Sequence, residues 1–245
     1  MTNMTERTDV RSVAILVGTV LAAFAVSRVP LLNVPFEWFE TYFHEISHGL
    51  AALLTGGEVR RLELRFDGSG TLWHAGSSFR ALVAFAGYAG AFCFGCILYL
   101  AASASAPQSA GRWGLGLAGA VALSAALWVR DVQSLVVSSV LIAAFLGLWK
   151  LGGNRFTQWL LQFVGVYAVV CAFYSPTWLL WSDSGHSDAS TLRQATGLPE
   201  VVWVAAWLAV GAVVVRWSAR AATQVRVTEP GRIRAQLGRG DGASA

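Results

Sequence analysis

Charge is scarce in this sequence. Asp, Glu, Lys and Arg make up 13% of its 245 residues, about half the share that a soluble domain carries. With 55% hydrophobic residues and a mean hydropathy of +0.54, the deficit excludes an ordinary soluble domain and points to the membrane. Long polar stretches are missing as well, which excludes a separate soluble partner domain. Cysteine is nearly absent, and Cys93, Cys96 and Cys171 all lie in apolar segments. Cys93 and Cys96 have C-x-x-C spacing, but no second pair completes a tetrahedral site, and disulfides are not implied. Arginine has almost displaced lysine, and Ala and Val abound, a composition that suggests a GC-rich bacterial genome.

The net charge of +4 is concentrated after Arg216, in a tail with Arg220, Arg226, Arg232, Arg234 and Arg239. Such a segment suits the surface of an anionic bilayer. It lacks aromatic interleaving, so nucleic acid is not an expected partner.

What the chain does have is long apolar runs. A membrane span needs about 20 mostly apolar residues, and helices are predicted at 12–33, 36–56, 80–104, 113–129, 132–149, 156–175 and 199–218. The fold class is therefore an all-α polytopic membrane protein of about six to seven transmembrane helices. One membrane domain is expected over 1–220, followed by a basic, disordered tail over 221–245. The first run reads as an uncleaved anchor rather than a signal peptide, because its apolar pattern resumes after Arg28. In the third helix, Gly87, Ala91 and Gly95 recur every four residues, a small-residue stripe that suits close helix packing in lipid.

Two polar islands interrupt the spans. In 58–76, Leu62, Leu64 and Phe66 alternate with Glu63 and Arg65, which is strand period. Asp67-Gly68-Ser69-Gly70 supplies a turn and Thr71 to His74 a returning strand, so a β-hairpin is expected there. The second island, 181–200, holds Asp183, His186 and Asp188. A short helix is predicted to follow Asp188 and to end at Gly197, before Pro199.

The chemistry sits in TYFHEISHGLAALLTGG, residues 41–57. His44-Glu45-x-x-His48 places two imidazoles four residues apart, on one face of a helix, where both can bind one metal ion. Glu45 lies beside the first ligand, placed to accept a proton from the water that the metal activates. From four His and eight Glu in the chain, chance yields such a pattern roughly 0.002 times. Ionisable groups within a span are costly and functional by default. Upstream, Glu37 and Glu40 continue the same face, so Glu40 could orient His44 through its far nitrogen or could simply be solvated at the interface.

A catalytic zinc site takes a third protein ligand, and the candidates are Asp188, His186, Asp183, His74 and Asp67. Chain parity favours the second island, because four crossings after the second helix return the chain to the side where that helix ends. For Asp188 two roles stand open, metal ligand or helix N-cap.

FHEISHGLAALLTGG resembles the metal-binding helix of the site-2 protease family of membrane zinc metallopeptidases, in particular the small bacterial branch without an inserted PDZ domain. The likeness continues through Thr55-Gly56-Gly57, Asp67 to Gly70, Ser187-Asp188-Ala189 and Thr196-Gly197-Leu198-Pro199. Two features depart from the family pattern. Ser47 stands where H-E-x-G-H has Gly, and the N-P-D-G or L-D-G motif that carries the third ligand elsewhere is missing. By analogy the resemblance assigns that role to Asp188.

The resemblance implies a zinc-dependent endopeptidase of the bacterial inner membrane. Zinc would be held by His44, His48 and Asp188, with Glu45 as general base, and the substrate would be a membrane-anchored protein. The alternative is a membrane protein that keeps the metal without proteolysis, as a scaffold, regulator or transporter.

Overall fold

The computed structural model describes residues 2–150, 155–181 and 187–240, with side chains over 14–107, 109–150, 155–181 and 187–220. The elements in chain order are α1 (Thr2–Val26), α2 (Pro30–Leu54), β1 (Glu58–Leu64) and β2 (Gly70–Ala75). There follow α3 (Arg80–Ala104), α4 (Pro107–Trp128), α5 (Val132–Lys150), α6 (Arg155–Trp178), α7 (Asp188–Thr196) and α8 (Glu200–Gly240).

Among the described residues, five helices are long and apolar enough to cross a membrane: α3, α4, α5, α6 and the first part of α8, Glu200–Arg220. The structure is that of an all-α polytopic membrane protein with one small antiparallel sheet. The N-terminal pair differs from the two separate spans read from the sequence. Ala14–Val26 and Pro30–Leu54 are long and apolar enough to span only when taken together, and they are bent by 107° at the break between them. Two causes are visible. Pro30 occupies the first turn of α2, where its missing N–H costs nothing. Arg28, at the corner, lies over the rings of Phe24 at 4.6 Å and Tyr174 at 4.3 Å, and donates to the Tyr174 hydroxyl at 2.9 Å.

Helix α3 is central and packs on α2, α6, α7 and α8. Against α6 the two backbones touch: a Cβ on Gly95 would stand 2.7 Å from the Gly165 carbonyl oxygen, and one on Gly165 would stand 2.6 Å from that of Gly95. Lipid supplies no hydrophobic force between helices, so such contact is what holds them together.

The hairpin forms as expected, with Leu62 opposite Leu72 and Leu64 opposite Gly70. Leu62, Leu64 and Leu72 are buried against Phe39, Tyr42 and Phe43 of α2 and against Val137 and Leu141 of α5. Burying each leucine contributes about 1.5–3 kcal/mol. On the opposite face, Arg61 bridges Glu63 at 3.0 Å and Asp131 at 3.3 Å, half-exposed pairs worth at most about 1 kcal/mol each. The tighter tie is Ser134, 1% exposed, whose Oγ accepts the Leu64 N–H at 2.9 Å and donates to Asp131 at 2.8 Å.

Replacing Ser134 with Ala leaves the Leu64 N–H buried without a partner, which costs about 1–3 kcal/mol. Hydrogen exchange of the hairpin amides should accelerate in Ser134→Ala while the α3–α6 amides keep their protection. Unchanged hairpin protection would show that the tie contributes nothing.

Candidate metal centre

Helix α2 carries His44, Glu45 and His48 within one turn, and the two imidazoles meet edge to face with centroids 4.7 Å apart. Their Nε2 atoms are 3.1 Å apart. Across from them, Asp188 Oδ2 lies 3.0 Å from His44 Nε2 and 3.3 Å from His48 Nε2. One ligand atom from each of the three residues thus falls within 4.8 Å of the others.

The chemistry of the three atoms is informative. His48 Nδ1 lies 2.7 Å from the Val83 carbonyl oxygen, which can only accept, so Nδ1 carries the proton. In the neutral ring Nε2 is then a bare lone pair, directed at a carboxylate and at a second imidazole. His48 Nε2 and Asp188 Oδ2 are thus two acceptors facing one point, and His44 Nε2 joins them as a third ligand atom when its ring carries its proton on Nδ1, a set suited to a cation.

Asp188 owes its position to α7. The cap of that helix is Ser187: its Oγ accepts the Ser190 N–H at 3.1 Å, while the Ser190 hydroxyl accepts the Ser187 N–H at 2.9 Å. Asp188 is the first helical residue, and its side chain is free to face α2. Burial alone would raise its carboxyl, but the facing His48 and His44 rings override that and hold it well below the usual carboxylate range.

A model of the peptidase M50B-like family matches residues 16–218. The chain belongs to that family, which is the site-2 protease family of membrane metallopeptidases. No curated protein and no solved structure matches it. The matched region takes in every element from α2 to α7 and the apolar part of α8.

In this M50B-like chain, the two remaining candidates within the described residues, Asp67 and His74, stand apart from the triad. Asp67 is spent on the hairpin turn, where it accepts from the Ser69 N–H at 3.0 Å and the Ser69 hydroxyl at 2.7 Å. His74 lines the cleft in front of the triad but contributes no atom to it. Burial, with His48 and Arg80 nearby, holds the His74 imidazole below its ordinary range. Asp183 and His186 lie outside the described residues. Glu40 is buried on α2, and no hydrogen bond joins it to His44. The ring held from behind is that of His48, by Val83.

The cleft has a volume of about 650 Å³ and is bounded by α2, β2, the start of α3 and α7. Glu45 is buried beneath β2, and a Cβ on Gly70 would come within 3.0 Å of its Cγ. Ser47 turns away from the metal-ligand atoms, donates to the Phe43 carbonyl at 2.6 Å and fills the space that Gly90 leaves on α3.

One contributor escaped the sequence reading. Gly87 belongs to the small-residue stripe, yet its neighbours are the two imidazoles: a Cβ there would lie 2.5 Å from His48 Nε2 and 2.6 Å from His44 Cε1. Its only signal in the sequence is the four-residue spacing shared with Gly95, whose role is packing.

Gly87→Ala should therefore displace both rings and weaken metal binding by about 10- to 100-fold, the scale of a lost supporting contact. Gly119→Ala, at a position with nothing within 4 Å, should leave it unchanged. Chelator competition on the two purified variants checks the pair, and equal affinities would exclude a steric role for Gly87.

Proposed function

We propose that this protein is a zinc-dependent endopeptidase of the bacterial inner membrane that cleaves membrane-anchored proteins. His44, His48 and Asp188 hold the zinc and Glu45 is the general base. The observation that carries the reading is the convergence of three potential ligand atoms at 3.0–3.3 Å. Ligands about 2.0–2.1 Å from a tetrahedral centre stand about 3.3–3.4 Å apart, so the donor set fits zinc in both spacing and chemistry. Family membership supports the same conclusion.

Zinc, when bound, polarises the scissile carbonyl and acidifies a coordinated water. The residues of the chain supply the rest. Glu45 adjoins the first ligand without joining the triad; the Leu72 backbone steadies its carboxylate, which takes a proton from the attacking water and passes it to the departing amine. A purely structural metal site has no use for such a free base. His48 keeps one tautomer because Val83 accepts its Nδ1 proton. The edge of β2 that does not pair with β1 offers backbone groups to an unwound substrate segment. Thr191 and Gln194 of α7 line the cleft with β2 and give it a polar opposite wall.

Purified protein should carry about one zinc per chain, and the metal should be lost on replacing either histidine with Ala. Glu45→Gln should retain zinc while cleavage of a membrane-anchored substrate falls at least about 100-fold. Elemental analysis beside a turnover assay reads both quantities. Zinc lost from Glu45→Gln would make Glu45 a ligand and overturn its assignment as base.

Asp188→Asn separates ligand from helix support. Ser187 already caps α7, so the variant should fold with circular dichroism unchanged. Zinc dissociation should nonetheless be clearly easier, because a neutral amide replaces an anionic oxygen ligand. Wild-type zinc affinity in Asp188→Asn would remove Asp188 from the site.

A further inference from the structure

Arg80 opens α3 and lines the same cleft as His44, His48 and Asp188. The arginines nearby are paired: Arg60 with Glu58, Arg61 with Glu63 and Asp131, Arg65 with Glu63, and Arg193 with Glu200. Arg80 is exposed and has no ion-pair or hydrogen-bond partner among the described residues.

The charge balance of the cleft makes this matter. Among the described residues, two acidic ones line it, Glu45 and Asp188, and their two negative charges offset the two positive charges of a zinc ion. The imidazoles are neutral as ligands. Burial, with His48 and Arg80 nearby, disfavours the charged form of His74. Arg80 is then the one uncompensated charge on the described walls.

Gly70 lies against Glu45, Leu72 against Gly49, and Ala75 against Gly57, so β2 leads away from Glu45 in the direction of the chain that opens α3 with Arg80. We propose that Arg80 determines specificity by binding the carboxylate of an acidic substrate side chain to one side of the scissile bond, on the stretch laid along β2. This rests on the peptidase reading above and adds a substrate class to it.

The test uses full-length, zinc-loaded Glu45→Gln protein, which binds substrate without turning it over, in phosphatidylcholine nanodiscs. The probe is a fluorescent single-span peptide whose alanine juxtamembrane stretch carries Glu, Gln or Lys at one position at a time. At one position the Glu peptide should bind about tenfold more tightly than the Gln peptide, the scale of a charge-assisted contact. That preference should vanish on adding Arg80→Gln and turn towards the Lys peptide on adding Arg80→Glu.

Equal affinity for the Glu and Gln peptides at every position, with Arg80 intact, overturns the proposal. So does an equal loss of both peptides in the Arg80→Gln variant, or a loss restored by anionic lipid, since either assigns Arg80 to anchoring α3 at the bilayer surface. Zinc content and wild-type cleavage, measured on parallel samples, report separately on the peptidase reading. A protein that holds no zinc or cleaves nothing defeats that reading, while the binding comparison decides the role of Arg80 alone.

Discussion

The structure depends on how closely α3 approaches α2. Where the two helices meet, Gly87 leaves room for two imidazoles whose Nε2 atoms are 3.1 Å apart. One turn earlier on α3, the Val83 carbonyl takes the proton on the far side of His48. A single stretch of backbone thus sets both the distance and the orientation of the rings. Glycine in a helix usually costs about 1 kcal/mol relative to alanine. Here the missing methyl is what allows polar side chains and a neighbouring helix to share one space.

The same economy of volume explains the departure at Ser47. In a segment spelled H-E-x-G-H, a serine at the fourth position adds bulk towards whatever helix lies opposite. In this chain the helix opposite carries Gly90, and a Cβ there would come within 2.0 Å of the serine hydroxyl. Ser47 returns its own proton to the Phe43 carbonyl, so it brings no unsatisfied group into the interior. The polar atoms of α2 divide accordingly: Ser47 faces α3, while Glu45 and the histidines face the cleft beneath the hairpin.

Much of this was legible in the sequence, and the parts that were not have definite causes. Helices α3 to α6 could be placed because each is a continuous apolar run, although α4 starts at Pro107, six residues before the start expected at 113, because polar residues around Arg112 masked its first turns. The hairpin was visible in the alternation around Leu62 and Leu64 and in Asp67 to Gly70. The parity of the crossings put the island around Asp188 on the side of the membrane where the H-E-x-x-H helix ends. The bend between α1 and α2 was hidden, because the apolar residues that follow Arg28 read as a continuation of the first helix. The capping of α7 was hidden because its box pairs Ser187 with Ser190, not with the Glu or Gln that usually marks one. Gly87 was hidden for another reason: a four-residue period identifies a face of a helix and not what lies across from it.

The hairpin belongs mechanically to two parts of the molecule at once. Leu62, Leu64 and Ser134 fasten β1 to α5, while Leu72 and Gly70 lie on α2 beside Glu45. One wall of the cleft, the hairpin, is therefore joined to the ligand helix α2 as well as to the α4–α5 pair, and the other, formed by α7, rests on α3 and α8. Both α2 and α7 pack on α3, so the width of the cleft and the spacing of the metal-ligand atoms share one support.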